Sequence, residues 1–352
     1  MEQQATTILE LQPEILNKIF QKLPLKSVIY CKLVIKQWRS FISDPVFISI
    51  YNKKSSSVNP LSLIMIPSKP STKITPARYE LDTSATTRHH QPLPRDFAPH
   101  DRVAIMGSVN GLVGLYRDPG EFCLFNPSTG TEKTVHLEGL KMNWCADLLF
   151  GLCYDSARES YKAVLSISSR GTCRFYIVRF YDGEWKVKTQ AGMGHPSYVA
   201  NVEVGSVVNG VPYWASDDSV FFFDEEKEEF GMAGKPEEWG RRKICGLGCL
   251  GGKLSIAIKS GDGSLEIWAT EKYEDKNWSW SKLFVVSGGF IRTASLLWRT
   301  NGGEGDEIMM DVNGEEVMVY DIESQSLRKV ENKMWRTLYN VITYAPSLAC
   351  PA

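Results

Sequence analysis

The chain changes its apolar period once, and that change limits what it can fold into. Up to about residue 50 apolar residues recur at helical spacing, whereas beyond residue 60 they fall in runs of about four to eight broken by turn dipeptides. The two patterns bury different faces, so a small helical module followed by a separate β domain is expected. Within the β part the turns recur. Asn110-Gly111, Asn209-Gly210, Gly251-Gly252 and Asn301-Gly302 stand between apolar runs at separations of 99, 42 and 50 residues, and the longest separation is two periods with a turn near Asp155 to Ser160 between them. An aromatic residue followed by Asn or Asp repeats on the same period, at Phe125-Asn126, Tyr181-Asp182, Phe223-Asp224 and Tyr320-Asp321, where it should end the third strand of each unit. Four-stranded units of about 40 to 50 residues have the size of β-propeller blades. Residues 61 to 352 hold about six of them, with Leu338 to Tyr344 completing the first blade beside Leu61 to Ile66. A β-sandwich with long loops is the alternative.

Three helices are expected ahead of the strands. Pro13 suits a first helical position and Glu14 its positive end, with Ile15, Leu16, Ile19, Phe20 and Leu23 on one face until Pro24 stops the run. A short segment, Leu25 to Cys31, leads to a second periodic stretch carrying Val34, Trp38, Phe41 and Ile42. Asp44-Pro45 then caps a last turn through Phe47 and Ile50. The expected domains are 9–50, a Ser-rich linker 51–60, and 61–352.

Charge and composition narrow the function classes. Forty basic against 41 acidic residues give a net charge of −1, which offers no broad positive field for phosphate backbones or anionic lipid, so neither nucleic acid nor membrane is an expected partner. No apolar run approaches the ~20 residues that span a bilayer, and the start lacks a signal-peptide pattern. An intracellular protein, cytoplasmic or nuclear, is expected. The eight cysteines are too sparse for a disulfide scaffold and read as reduced thiols, which leaves the sequon Asn277-Trp278-Ser279 without a role.

Catalytic readings meet physical objections. Gly246-Leu247-Gly248-Cys249-Leu250-Gly251 fits a dinucleotide fingerprint literally, but a strand follows it where a helix N-terminus is needed. Cys245 and Cys249 have no nearby histidine to complete a zinc set. His89 and His90 lie in a polar loop away from any nucleophile motif, and Glu237-Glu238 and the run Asp224 to Glu229 have the composition of solvated turns. No catalytic residue, metal or cofactor is therefore expected.

The segments Leu11-Gln12-Pro13-Glu14-Ile15-Leu16, Leu23-Pro24-Leu25-Lys26-Ser27-Val28 and Val34-Ile35-Lys36-Gln37-Trp38-Arg39-Ser40-Phe41-Ile42-Ser43-Asp44-Pro45-Val46-Phe47 together resemble an F-box. Gln12 stands where a proline is usual, and Leu33 and Ile35 replace cysteines common in plant versions. Further along, Gly107-Ser108-Val109-Asn110-Gly111-Leu112-Val113, Phe125-Asn126-Pro127-Ser128-Thr129, Val208-Asn209-Gly210-Val211-Pro212-Tyr213-Trp214 and Glu266-Ile267-Trp268 look like the plant F-box-associated, kelch-like repeat region. The resemblance implies a mainly β chain, a three-helix F-box followed by a propeller-like domain of about six blades. It implies a non-catalytic receptor subunit of a Skp-cullin-F-box ubiquitin ligase. Such a subunit binds a Skp-type adaptor, and through it cullin and RING subunits, by Leu11, Pro13, Ile15, Leu16, Ile19, Leu23, Pro24, Val28, Val34, Trp38 and Ile42. A β-propeller hydrolase or lectin with an incidental helical N-terminus, and a non-degradative scaffold, are the alternatives. The loops that join successive blades share one face. Trp144, Tyr198, Trp239, Arg241, Arg242, Phe290, Arg292, Trp335 and Arg336 fall in them and are the expected contacts to a target protein, because Trp, Tyr and Arg dominate binding hot spots.

Overall fold

The computed structural model describes residues 11–55, 62–67, 77–80, 87–90, 103–118, 120–136, 147–169, 172–181, 184–192, 202–216, 219–274, 277–288, 290–299, 306–330 and 339–351. Four helices come first: α1 (Pro13–Phe20), α2 (Leu25–Cys31), α3 (Lys36–Ile42) and α4 (Pro45–Ser55). Two expectations need correction here. Leu25 to Cys31 is a helix of its own, started at Pro24 and held by buried Leu25 and Val28 at i and i+3, so the module has four helices and not three. The last helix also continues into the expected linker, because Tyr51 is buried and its hydroxyl donates 2.8 Å to the Leu23 carbonyl. The cap before it is as expected: Asp44 Oδ1 accepts the N–H groups of Val46 and Phe47 at 2.9 and 3.2 Å. Around Phe20 the rings of Trp38, Phe41 and Phe47 pack at centroid distances of 5.3 to 6.4 Å.

The strands that follow form six blades. Blade 1 holds β1 (Ser62–Pro67), β2 (Ala77–Glu80) and β3 (Thr87–His90). Blade 2 holds β4 (Val103–Val109), β5 (Leu112–Arg117), β6 (Glu121–Phe125) and β7 (Glu132–His136). Blade 3 holds β8 (Asp147–Asp155), β9 (Ser160–Ser169), β10 (Thr172–Tyr181) and β11 (Glu184–Gly192), and a short β12 (Val202–Val204) pairs in parallel with β8. Blade 4 holds β13 (Ser206–Val208), β14 (Val211–Ala215), β15 (Val220–Asp224) and β16 (Glu229–Ala233). Blade 5 holds β17 (Ile244–Leu250), β18 (Lys253–Lys259), β19 (Leu265–Glu274) and β20 (Asn277–Val286). Blade 6 holds β21 (Ala294–Arg299), β22 (Glu307–Val312), β23 (Glu316–Asp321) and β24 (Ser326–Lys329). The ring closes through β25 (Tyr339–Tyr344), which pairs antiparallel with β1 from Ser62↔Tyr344 to Pro67↔Tyr339 as the inner strand of blade 1. A strand from the end of the chain thus removes the edge that an open array would expose.

The repeated sequence markers have matching structural roles. Asn110-Gly111, Asn209-Gly210 and Gly251-Gly252 all take positive φ, between 51° and 82°, and turn the first strand of their blade into the second. Asn301-Gly302 lies outside the described residues. Phe125, Tyr181, Asp224 and Tyr320 stand at or next to the ends of third strands, and Asn126, Asp224 and Asp321 each accept backbone N–H groups from the turn that follows.

The core lies between blades. Tyr116, Phe122, Phe150 and Leu152 fill the space between blades 2 and 3, and Tyr213, Val220, Ile256 and Trp268 that between 4 and 5. Trp214 joins blades 3 and 4 by donating its indole N–H 3.0 Å to the Phe150 carbonyl. Among the described residues no helix is long and apolar enough to cross a membrane.

Candidate functional site

Two surfaces stand out, one on the helices and one around the mouth of the propeller. In the helical module the expected contact residues divide. Leu16, Val28, Trp38 and Ile42 are buried in the module's own core, with Leu11 and Leu23 packed against it. Ile19 is half-buried, while Pro13, Ile15, Pro24 and Val34 are exposed. The buried four therefore shape the module and do not line its surface, a correction that follows from the i, i+3, i+4 stripe being the core face. The end of α2 and the turn into α3 carry what the stripe leaves out: Tyr30, Leu33 at 70% exposure and Val34 at 60% lie within five residues. Three neighbouring exposed apolar side chains exceed the scatter expected of a soluble surface. Tyr30 and Leu33 were not among the expected contacts, and the signal for them was their position off the buried stripe.

Strand connectivity places the first-to-second and third-to-fourth turns of each blade on one face, and the second-to-third turns and inter-blade loops on the other. On the inter-blade face the central channel opens into a cavity of about 930 Å³ lined by Ser206, Lys243, Ser295, Asp311, Asn313 and Ile342 among others. Asp311 is the single carboxylate among the described residues that line it. Burial lifts its pKa to about 7, against an opposing hydrogen bond from the Gly314 backbone.

Of the expected target contacts, Phe290 (57% exposed), Arg292 and Arg241 are exposed at this face. Trp239 and Arg242 are not available there. Trp239 is 2% exposed, set edge-on to Trp268 and Trp280 at centroid distances of 5.9 and 4.9 Å. Its large ring fills the space between blades 4 and 5, so packing overrides the loop's place on the surface. Arg242 is folded back onto its own loop, donating to the carbonyls of Trp239 and Glu238 and at 2.8 Å to Glu266. Burial raises the pKa of Glu266, but the hydrogen bonds from Lys282, Arg242 and Trp268 outweigh it and pull the value to about 2. That network is structural. Trp144, Tyr198, Trp335 and Arg336 lie outside the described residues.

A residue absent from the expected set positions Phe290 and Arg292. Asn313 accepts the N–H groups of Arg292 and Thr293 at 2.8 and 3.2 Å and donates to the Phe290 carbonyl at 3.3 Å. It occupies an Asn313-Gly314 turn with φ of 58° and 67° that joins β22 to β23, so this turn lies on the inter-blade face and not with the first-to-second Asn-Gly turns.

The glycines of the dinucleotide-like string also find their reason. A Cβ on Gly246 or Gly248 would run into the Ala294 or Leu296 carbonyl, so these glycines let β17 approach β21 and join blades 5 and 6 into one eight-stranded sheet. The thiols of Cys123, Cys153 and Cys249 are free, and burial raises the pKa of each.

The profile of the F-box associated beta propeller domain matches residues 40–343, and that of the F-box domain residues 8–49. The chain belongs to the F-box-associated propeller family. Among its relatives in Arabidopsis thaliana is an F-box/kelch-repeat protein 24% identical over 82% of this chain and 82% of that protein. The F-box protein CPR1 is 22% identical over 95% of this chain and 87% of its own length, and a second F-box/kelch-repeat protein is 27% identical over 85% and 72%. In this F-box protein the helices are accordingly the F-box, and the six blades are the F-box-associated domain.

Proposed function

We propose that this F-box protein is the target-recognition subunit of a Skp-cullin-F-box ubiquitin ligase. Its helices bind a Skp-type adaptor, and through it cullin and RING subunits, while the propeller holds a target protein for ubiquitylation and degradation. The chain contributes proximity and performs no chemistry itself: it converts an encounter between target and ubiquitin-carrying partner into an intramolecular one. The observation that carries this reading is the joining, in one chain, of an F-box with exposed apolar residues to a propeller whose inter-blade face presents Phe290, Arg292 and Arg241 around an open channel.

Within this reading Pro13, Ile15, Pro24, Tyr30, Leu33 and Val34 touch the adaptor, and Leu16, Val28, Trp38 and Ile42 hold those residues in place. Phe290, Arg292 and Arg241 touch the target, joined by Trp144, Tyr198, Trp335 and Arg336 from equivalent loops. Affinity purification of the tagged full chain from plant cells, read by mass spectrometry, tests it. Adaptor and cullin are expected with the wild type and with Phe290→Ala/Arg292→Ala, and are lost with Leu33→Asp/Val34→Asp. Ubiquitylated proteins recovered with the wild type and depleted from the Phe290→Ala/Arg292→Ala sample are the expected targets. A wild-type sample without adaptor contradicts the proposal and favours the hydrolase or lectin reading, whereas adaptor with no turnover of any bound protein favours the scaffold.

A further inference from the structure

The last described residues, Ala345 to Pro351, leave β25 on the face that carries the first-to-second turns and run between the propeller and the helices. On the propeller side the buried Asn126 side chain donates to the carbonyls of Ser347 and Ala349 at 3.0 and 2.7 Å. The Ser347 hydroxyl donates 3.0 Å to the Asn110 carbonyl. Gly111 has φ of 77°, and a Cβ there would run into Ser347 and the Ala345 carbonyl. The Asn110-Gly111 and Phe125-Asn126 motifs of blade 2 thus do more than turn the chain: together they grip its C-terminal segment.

On the helical side Leu348, only 2% exposed, is a member of the F-box core with Leu16, Phe20, Trp38 and Phe47. Its N–H donates 2.9 Å to the Asn52 side chain of α4, 296 residues away in sequence. The helices are therefore held to the propeller twice, by the covalent connection from α4 to β1 and by this segment.

We propose that Ser347 and Leu348 form a strap that fixes the orientation of the F-box on the propeller, and so sets where a captured target is presented. This rests on the receptor reading above for its consequence, though not for its geometry. A module joined to its neighbour by one covalent connection alone is free to swivel about it. A second attachment, seated in the helical core through Leu348, restrains that freedom, and a target held in a fixed place meets the ubiquitin-carrying partner at a high effective concentration.

Single-molecule energy transfer tests the proposal on the full chain, with and without bound adaptor. Fluorophores are placed through unnatural amino acids at exposed Ser49 in α4 and exposed Gly261 in blade 5. The wild type should give one narrow distribution. Asn52→Ala/Ser347→Ala, which removes the hydrogen bonds that the Asn52 side chain and the Ser347 hydroxyl make without entering the helical core, should broaden it roughly twofold, and Leu348→Asp should broaden it further. Leu348→Met should keep the wild-type width. An unchanged width in the Asn52→Ala/Ser347→Ala chain overturns the proposal, even if Leu348→Asp loses adaptor by unfolding the helices. Adaptor recovery is scored separately on the same chains, so failure of the receptor reading and failure of the strap give different results.

Discussion

In the loops that enter blades 5 and 6, Trp239 is buried and Phe290 is exposed, although both are large aromatics in equivalent places. Trp239→Ala leaves a cavity between blades and should cost ~3–5 kcal/mol in denaturant unfolding. Phe290→Ala, which removes no buried contact, should stay within ~0.5 kcal/mol of the wild type. Sequence could not separate them, because both are large aromatics at equivalent loop positions and the difference lies in Trp268 and Trp280 on the neighbouring strands. Asp311 makes a second prediction at this scale. Its folded pKa of about 7 lies above the ordinary 3.8, so between those values the folded chain holds a proton the unfolded chain lacks. Its contribution favours folding at low pH and is lost as pH rises through 7. Asp311→Asn should therefore raise the melting temperature at pH 8 and flatten its fall between pH 5 and 8, with Lys243 left in place on the same cavity wall. Equal pH profiles for the two chains would contradict the burial argument.

Among elements, the strands were more legible than the helices. Short apolar runs and Asn-Gly or Gly-Gly turns identify individual blades, because a type I′ turn needs positive φ that these residues supply at little cost. The helix Leu25–Cys31 was hidden because seven residues between a proline and a Lys-Leu-Val turn hold one short apolar set, Leu25, Val28 and Ile29, which does not repeat over a second turn. The end of α4 was hidden for a different reason: Asn-Lys-Lys-Ser reads as a linker, and Tyr51 is helical because Leu23 accepts its hydroxyl. Nor does any local pattern reveal that Leu348 belongs to the helical core. Leu348→Ala should destabilise the F-box by ~2–5 kcal/mol, the range for a buried leucine. Hydrogen exchange would show this as faster exchange in α1 and α3, with blades 2 to 6 protected as before. Uniform loss of protection across the chain would mean that helices and propeller unfold as one unit.

For the whole molecule, closure is the feature on which the rest depends. β25 reaches β1 from the far end of the chain, and the strap that continues from it reaches the F-box, so the C-terminus secures both the ring and the module. A chain ending at Met334 loses both, leaves unpaired strand edges in blade 1, and should aggregate more than the full chain does when the two are compared by light scattering. The proposed function also requires the molecule to carry an adaptor-binding surface on its helices together with a target-binding face on its propeller. Titration calorimetry of the purified full chain with a Skp-type adaptor tests it most directly. The wild type should form a one-to-one complex, and Leu33→Asp/Val34→Asp should weaken it by at least about thirtyfold, as loss of a hot spot worth ~2 kcal/mol requires, with an unchanged melting temperature. Undiminished binding by that folded variant, or no binding by the wild type, would contradict the account.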